Sequence, residues 1–520
     1  MRLFRPRPIR RLVLATLSLG VLLPVRASAQ EAEQLQQASP AQPLTLTLEE
    51  AIRLARRNNP DYLAQRNDEV EADWAVREAY GGLLPGAAAG LSLQYQAKGT
   101  SRFGVFTGAD FGLAETPAYY LSDYYLGLNY QLSGAKLYAP ARERANRRAT
   151  QARIDAADFT LVADVTRQYL AVLRARDGVE LARQELARAD ENLKLAQARV
   201  AVGSAIPLEA TQAEVERGRA EVSLLQAENE FRTALLRLSQ SLGVQLPENV
   251  ELTSTFEVFD LPWSQEELLE QALAAHPQLN ALRAAEDASS AAVRAARMAY
   301  LPTLEFSAGW SGYTREAGSR DYISQQIRNQ AQQQQSNCEF INTVITRLTD
   351  PLPAQDCSVY ARQAAEAEAE ALRQNDAFPF RFTRQPLTAQ LRISLPIFQG
   401  FSRERQLEAA RVAAEDARLR VRAEELRIRA ELATAYQNLV TARRSVELET
   451  RNRALADDQL RLARERYRVG AASFLELSEA ETLKARADRA YLAAVYAFHE
   501  ALAALEVAAG RSLRVAGASQ

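Results

Sequence analysis

Two hydrophobic periodicities alternate along this chain, and each occurs twice. From Arg403 to Val469 large apolar residues recur every seven positions in several registers: Val412, Leu419 and Leu426; Val421 and Ile428; Leu432, Leu439 and Val446; Leu448, Leu455 and Leu462. Such a run predicts one helix of ~100 Å at ~1.5 Å per residue, and its several registers require a neighbour on each side. Residues 141–202 repeat the design, with Leu161, Val165, Tyr169 and Val172 facing one way. Each long pattern stops at a glycine. Gly203 and Gly470 supply the left-handed backbone that ends a helix, while Pro207 and Ser473 start the next one, so both segments are hairpin tips. A shift of 267 superposes Arg199 on Arg466, Gly203 on Gly470, Leu208 on Leu475 and Glu209 on Glu476.

Ahead of each long helix the period falls to two. Leu91, Leu93, Tyr95 and Ala97 alternate with polar residues, as do Leu126, Leu128, Tyr130 and Leu132, then Leu304, Phe306, Ala308 and Trp310, then Leu387 to Leu395. Strands are expected at about 86–97, 123–133, 303–312 and 386–397, near the ~9–11 residues of a tilted membrane strand. Tyr124, Tyr125 and Tyr130 resemble an interfacial girdle. A soluble sheet with one wet face would alternate in the same way; strand length, the tyrosines and the leader described below favour a membrane. Hydrocarbon tolerates no open sheet edge, so four strands per chain imply a barrel shared by several chains, and three chains would give twelve strands.

The duplication extends further. Thr47 with Glu50, and Ser264 with Glu267, read as capping boxes, and a shift of 217 carries Pro60 onto Pro277. The chain divides into a first repeat (44–242, tip about 203–208), a linker (243–263), a second repeat (264–510, tip about 470–475) and a tail (511–520). Helices at about 208–242 and 264–300 are each half the long one and are expected to stack end to end beside it. The loop between the second pair of strands, about 313–385, is larger than its counterpart by the 46 residues separating the repeat offsets, and is expected outside the membrane.

Composition narrows the reading. Residues 1–29 look like a signal peptide, five arginines followed by an apolar run and Ala27-Ser28-Ala29, and 30–43 like a flexible leader. No later stretch approaches the ~18–20 apolar residues of a spanning helix. With 63 basic against 65 acidic residues there is no pull toward nucleic acid. In an exported chain the two cysteines, Cys338 and Cys357, are expected to pair as a disulfide. His276 and His499 sit in helical surroundings as structural residues. No catalytic triad, metal cluster or phosphate loop has workable spacing, so neither enzyme, metal nor cofactor is expected.

The order Leu44-Thr45-Leu46-Thr47-Leu48-Glu49-Glu50-Ala51-Ile52, Asn59-Pro60, Leu395-Pro396-Ile397-Phe398-Gln399-Gly400 and Tyr467-Arg468-Val469-Gly470, all within a duplicated frame, resembles the TolC-like outer-membrane efflux protein family. The resemblance implies a mainly α protein with a membrane β-barrel: a homotrimer with a twelve-stranded barrel in outer-membrane lipid and a periplasmic coiled-coil tunnel. It also implies an inner-membrane transporter and a periplasmic adaptor as partners, and an exit duct for small molecules such as drugs or metal ions. A type I protein-secretion channel is the alternative, and a poreless exported coiled-coil tether a more distant one. By the same resemblance Glu476, Glu479, Glu209 and Tyr467 belong to the periplasmic constriction. Val202, Gly203, Leu208, Val469, Gly470 and Leu475 belong to the adaptor-contacting tips. Some relatives join neighbouring hairpins through a tyrosine and an arginine; Tyr467 matches the first, but Ala472 holds the second position, which implies a looser closed state.

Overall fold

A computed structural model describes residues 45–100, 102–107, 117–247, 249–254, 256–347 and 352–514 of the 520-residue chain. The signal peptide and leader expected at 1–29 and 30–43 lie outside the described residues. The elements are β1 (Thr45–Leu46), α1 (Leu48–Asn58), α2 (Pro60–Gly81), β2 (Gly86–Gln96), β3 (Tyr119–Leu132), α3 (Gly134–Ala201) and α4 (Pro207–Leu242). The second half contributes β4 (Glu251–Leu252), α5 (Gln265–Ala275), α6 (Pro277–Arg297), β5 (Thr303–Ala317), α7 (Arg320–Ile345), α8 (Ser358–Asn375), β6 (Thr383–Arg384), β7 (Thr388–Ser394), α9 (Ser402–Arg468) and α10 (Phe474–Ala509).

Local chemistry sets these boundaries. Thr47 and Ser264 form reciprocal capping boxes with Glu50 and Glu267. Asn59 and His276 then cap the next helices, each with proline at its first position. The two halves also pack alike. Leu161, Val165, Val172, Leu235 and Leu238 form one buried cluster with Ala51 and Ala55; their counterparts Ile428, Leu432, Leu439, Leu502 and Leu505 form another with Leu268 and Ala272. Even a single hydroxyl bond is duplicated: Tyr169 donates to the Leu46 carbonyl at 2.7 Å, and Tyr436 to that of Trp263 at 3.2 Å.

The long helices α3 and α9 span the whole helical region. Toward the tips the lateral order is α4–α3–α10–α9, and toward the strands α2–α3–α6–α9. The half-length helices therefore stack end to end, but not with the partners expected from chain order. Helix α4 abuts the α1–α2 elbow and α10 the α5–α6 elbow, because the 243–263 linker moves the chain sideways: β4 pairs in parallel with β1 before α5 begins. At these junctions a glycine meets backbone. Gly243 (φ 72°) would place a Cβ 2.3 Å from the Asn58 carbonyl oxygen, and Gly510 (φ 71°) 2.8 Å from the His276 ring. His276 completes its junction by hydrogen-bonding the Val507 carbonyl through Nε2 at 3.1 Å, a structural role as expected. His499 is likewise buried, between Phe256 and Phe498.

The four long strands form one antiparallel sheet in the order β2–β3–β5–β7, with β6 continuing the line of β7. Register separates its faces. Leu91, Leu93 and Tyr95 share a side with Tyr120, Tyr124, Leu126, Leu128 and Tyr130, with Phe306 and Trp310, and with Leu391 and Ile393. The opposite side carries Ser92, Gln94, Asp123, Asn129, Gln131, Glu305, Ser307, Arg315, Gln390 and Arg392. Tyr125 falls on this polar side and is no part of a girdle. Its side chain lies over two glycines, the hydroxyl occupying the place a Cβ on Gly127 would take and the ring edge reaching 3.1 Å from one on Gly309.

Several expectations change. Strand β5 runs to Ala317 because Tyr119–Ser122 continue to pair with it after its apolar alternation fades. The last strand is broken between Arg384 and Thr388, around Pro386, which has no N–H to donate. The region expected as a loop at 313–385 holds the helical hairpin α7/α8. Its far end is joined by the Cys338–Cys357 disulfide, and its base by Asn375, which bonds both the N–H and the carbonyl of Ala317. Helix α10 does contain an 18-residue window of mean hydropathy 1.4, contrary to the sequence expectation, but half of that window is buried against its neighbours. It is a core helix whose alanines permit close packing. The tail also begins later than expected, since Leu513 is buried in the second cluster.

The junctions yield a graded prediction. Gly203→Ala at the open tip meets no atom and is expected to lose only the ~1–2 kcal/mol of a left-handed non-glycine residue. Gly243→Ala and Gly510→Ala add overlap with neighbouring groups and should lower the thermal unfolding temperature distinctly more. Equal shifts in all three variants would contradict the packing described.

Candidate functional site: the paired hairpin tips

Both tips close by the same bonds. Gly203 N–H reaches the Val200 carbonyl at 3.0 Å and Ser204 N–H that of Arg199 at 2.9 Å; Gly470 and Ala471 repeat this with Tyr467 and Arg466 at 3.1 and 2.8 Å. These are Schellman turns. An arginine clasps each one, Arg199 donating to the Ser204 carbonyl and Arg466 to that of Ala471, both at 3.3 Å. Val202, Leu208, Val469 and Leu475 are exposed around them.

The structure brings Tyr467 and Glu209 together. Tyr467 is wholly buried among Ala196, Ala213, Leu460, Phe474 and Leu477, and its hydroxyl donates to Glu209 Oε2 at 3.0 Å. Arg199 stacks 4.2 Å from the Tyr467 ring centre and donates to its carbonyl at 2.8 Å. The tyrosine thus ties the second hairpin to the first within one chain. Ala472 packs against this cluster and brings no charge. Glu476 and Glu479 are not drawn into it. Both are exposed, and Glu476 pairs with Arg466 of its own hairpin at 3.4 Å. Glu209 and Glu476, equivalent in the repeat, therefore play different parts, because the position matching Tyr467 in the first half is Val200.

The sequence reading gave no role to Arg199, nor to the ionic links above it. Glu481 of α10 accepts from Asn192 of α3 at 3.1 Å and from Arg464 of α9 at 2.7 Å, with Arg188 at 3.6 Å. Arg489 joins Glu185 on α3 and Ser223 on α4. These links line a groove of about 450 Å³ between α4 and α10. The available signal for Arg199 was its superposition on Arg466; the other pairs lie far apart in sequence and had none. Among the described residues no group of three or more His, Cys, Asp or Glu side chains could hold a metal.

A one-sided apolar sheet joined to a sheaf of long helical hairpins defines a protein of the outer-membrane channel class. Residues 51–244 and 268–511 match the family described as outer membrane efflux protein, and the chain belongs to that family. It is 27% identical over 390 residues to the pyoverdine export outer membrane protein OpmQ of Pseudomonas putida, covering 70% of this chain and 74% of that one. It is 32% identical over 151 residues to the outer membrane efflux protein BepC of Brucella suis, spanning about a third of BepC. Among solved structures it resembles CusC (TM-score 0.64, 18% identity, 92% of this chain and 96% of that one) and the open state of the MtrE outer membrane channel of Neisseria gonorrhoeae (TM-score 0.63, 19% identity, 90% and 89%). The fold is that of these channels, and the family places the protein in the outer membrane in efflux.

The Tyr467 link has a pH signature. Burial, and then the Glu209 carboxylate, push its phenol from 10.0 up to about 12. The folded value is the higher one, so this stabilisation is complete below pH 10 and is lost as pH rises toward 12. Subtracting the alkaline absorbance titration of Tyr467→Phe from that of the parent should leave one phenol with a midpoint near 12; a midpoint near 10 would place Tyr467 in water. The same variant should weaken the tip locally by about 1.5–3 kcal/mol, the range for a hydrogen bond to a charged acceptor.

Proposed function

We infer that three copies close into one duct through the outer membrane and periplasm, passing small molecules outward from an inner-membrane transporter and a periplasmic adaptor. The observation that carries this reading is the pair of unfinished flanks. Among the described residues, strand β2 is unpaired along one edge of the sheet and β7 along the other. On the β2 side lie α2 and α4, with Val70, Trp74, Leu208, Val215, Val222 and Leu236 exposed. On the β7 side lies α9, whose second seam, Val412, Leu419, Leu426, Leu448, Leu455 and Leu462, is exposed while Val421, Ile428, Leu432, Leu439 and Val446 are buried. The heptads anticipated on two sides of this helix are thus satisfied on one side only. Bringing the β7–α9 flank of one copy against the β2–α2–α4 flank of the next pairs strand with strand and seam with seam, a head-to-tail contact that closes a ring.

Small-molecule cargo is supported by the relation to OpmQ, a pyoverdine exporter. The exposed apolar residues at the tips are where the adaptor would dock, and Glu476 and Glu479 would ring the narrow end with six carboxylates. Glu476 is partly compensated by Arg466, so Glu479 should carry more of the field.

Mass measurement in detergent should give three chains; a stable membrane-embedded monomer would defeat the shared barrel. In planar bilayers, Glu479→Gln should weaken cation selectivity and divalent block more than Glu476→Gln, and the double variant most. Unchanged selectivity and block in the double variant would remove both residues from the constriction. An intact channel from a strain that exports proteins but no small molecules through it would favour the secretion reading.

A further inference from the structure

The return from α8 to β6 crosses the apolar face of the sheet. Phe378 sets its ring 5.8 Å from Tyr120 and Phe382 sets its ring 4.9 Å from Tyr124. Between those tyrosines lies Ser122, on the same face and 0% exposed, whereas Leu93, paired with it in register, is 62% exposed. Ser122 and its register partner Thr314 are both buried on this face, and the rings of Phe378 and Phe382, set on the flanking tyrosines, bring the 377–382 turn across them. At its crown Phe380 is 65% exposed, and Arg381 beside it is exposed as well. Arg384, opposite Gly312 in register, is exposed on the apolar face. Neither arginine forms an ion pair among the described residues. The acidic side chain on this face of the four strands, Glu316, is half-buried opposite Tyr120.

The height of the turn is informative. Ser122 lies ten residues along β3 from Leu132, at the helical end of the apolar band. At ~3.4 Å per residue and a tilt of ~40°, that is ~26 Å of vertical rise, close to the ~25 Å apolar band of a membrane barrel. The turn thus sits at the upper limit of the hydrocarbon, where an aromatic ring is favoured below and a charge above. Arginine there is suited to phosphate, which its planar fork engages with two parallel hydrogen bonds.

We propose that the 377–384 segment is a lipid-binding element, with Phe380 seated in the outer edge of the hydrocarbon and Arg381 and Arg384 holding the phosphate of an anionic lipid headgroup. This rests on the membrane reading, specifically on the apolar face being the one turned to lipid. It extends that reading from general burial in a bilayer to recognition of one class of headgroup at one place.

Both native cysteines are in the disulfide, so an introduced cysteine can be labelled alone. The full chain would carry a fluorophore at Phe380→Cys, at Trp310→Cys in mid-band, or at Phe340→Cys on the exposed part of α7, in vesicles containing brominated phosphatidylcholine. Quenching at positions 310 and 380 but not 340 is the expected result. Quenching at 310 without quenching at 380 overturns the proposal and leaves the membrane reading standing; quenching at neither overturns both. In a second arm, native mass spectrometry from mixed phosphatidylglycerol and phosphatidylcholine vesicles should show phosphatidylglycerol retained by the parent and reduced several-fold in Arg381→Gln/Arg384→Gln. Equal retention by parent and variant would overturn headgroup recognition, and so would retention of free inorganic phosphate in place of the lipid.

Discussion

Hydrocarbon offers a peptide group no hydrogen-bond partner, and the rest of this molecule follows from that constraint. A four-stranded sheet with an apolar face cannot remain in a bilayer with two unpaired edges. The helical region repeats the same incompleteness, since α9 buries one apolar seam and leaves another uncovered. Strand edges and helix seams end on the same two flanks, so the proposed head-to-tail contact would complete both. The sheet and the helical sheaf, different in solvent and in secondary structure, would then share one assembly geometry.

Duplication lets one design satisfy this twice, and its departures mark where the halves have diverged. At mid-height the halves remain close to interchangeable, with paired tyrosine bonds and with Gly243 and Gly510 in equivalent junctions. At the tips they differ. Tyr467 has only Val200 as its counterpart, so the second hairpin supplies the hydroxyl, while the first supplies Glu209 to accept from it and Arg199 to stack on the ring and donate to the Tyr467 carbonyl. The tip region is therefore a place where two nearly equivalent hairpins become donor and acceptor to each other.

Much of this was legible in sequence because it is local. Caps at Thr47 and Ser264, breaks at Pro60 and Pro277, turns at Gly203 and Gly470 and the period change at each strand all depend on residues a few positions apart. What was missed depends on distant partners. The side taken by Tyr125 is set by register, and the stacking of α4 on α2 by a lateral step of the linker. The length of β5 is set by pairing with Tyr119–Ser122. The apolar window of α10 was overlooked because its alanines and leucines are spread around the helix, where they pack against neighbouring helices. Of the residues singled out from the sequence, Tyr467 and Glu209 come into contact, whereas Arg199 emerges as their partner only from the folded chain.

The two flanks of the chain are different surfaces, so each copy in the proposed ring is at once a plug to one neighbour and a socket to the other. A copy with its β7–α9 side spoiled still presents a sound β2–α2–α4 side. It can join an incomplete ring and then cannot be followed. Such a chain terminates assembly instead of dropping out of it, and it sequesters sound copies as it does so. In a cell carrying both forms, the damaged allele would therefore be dominant over the intact one.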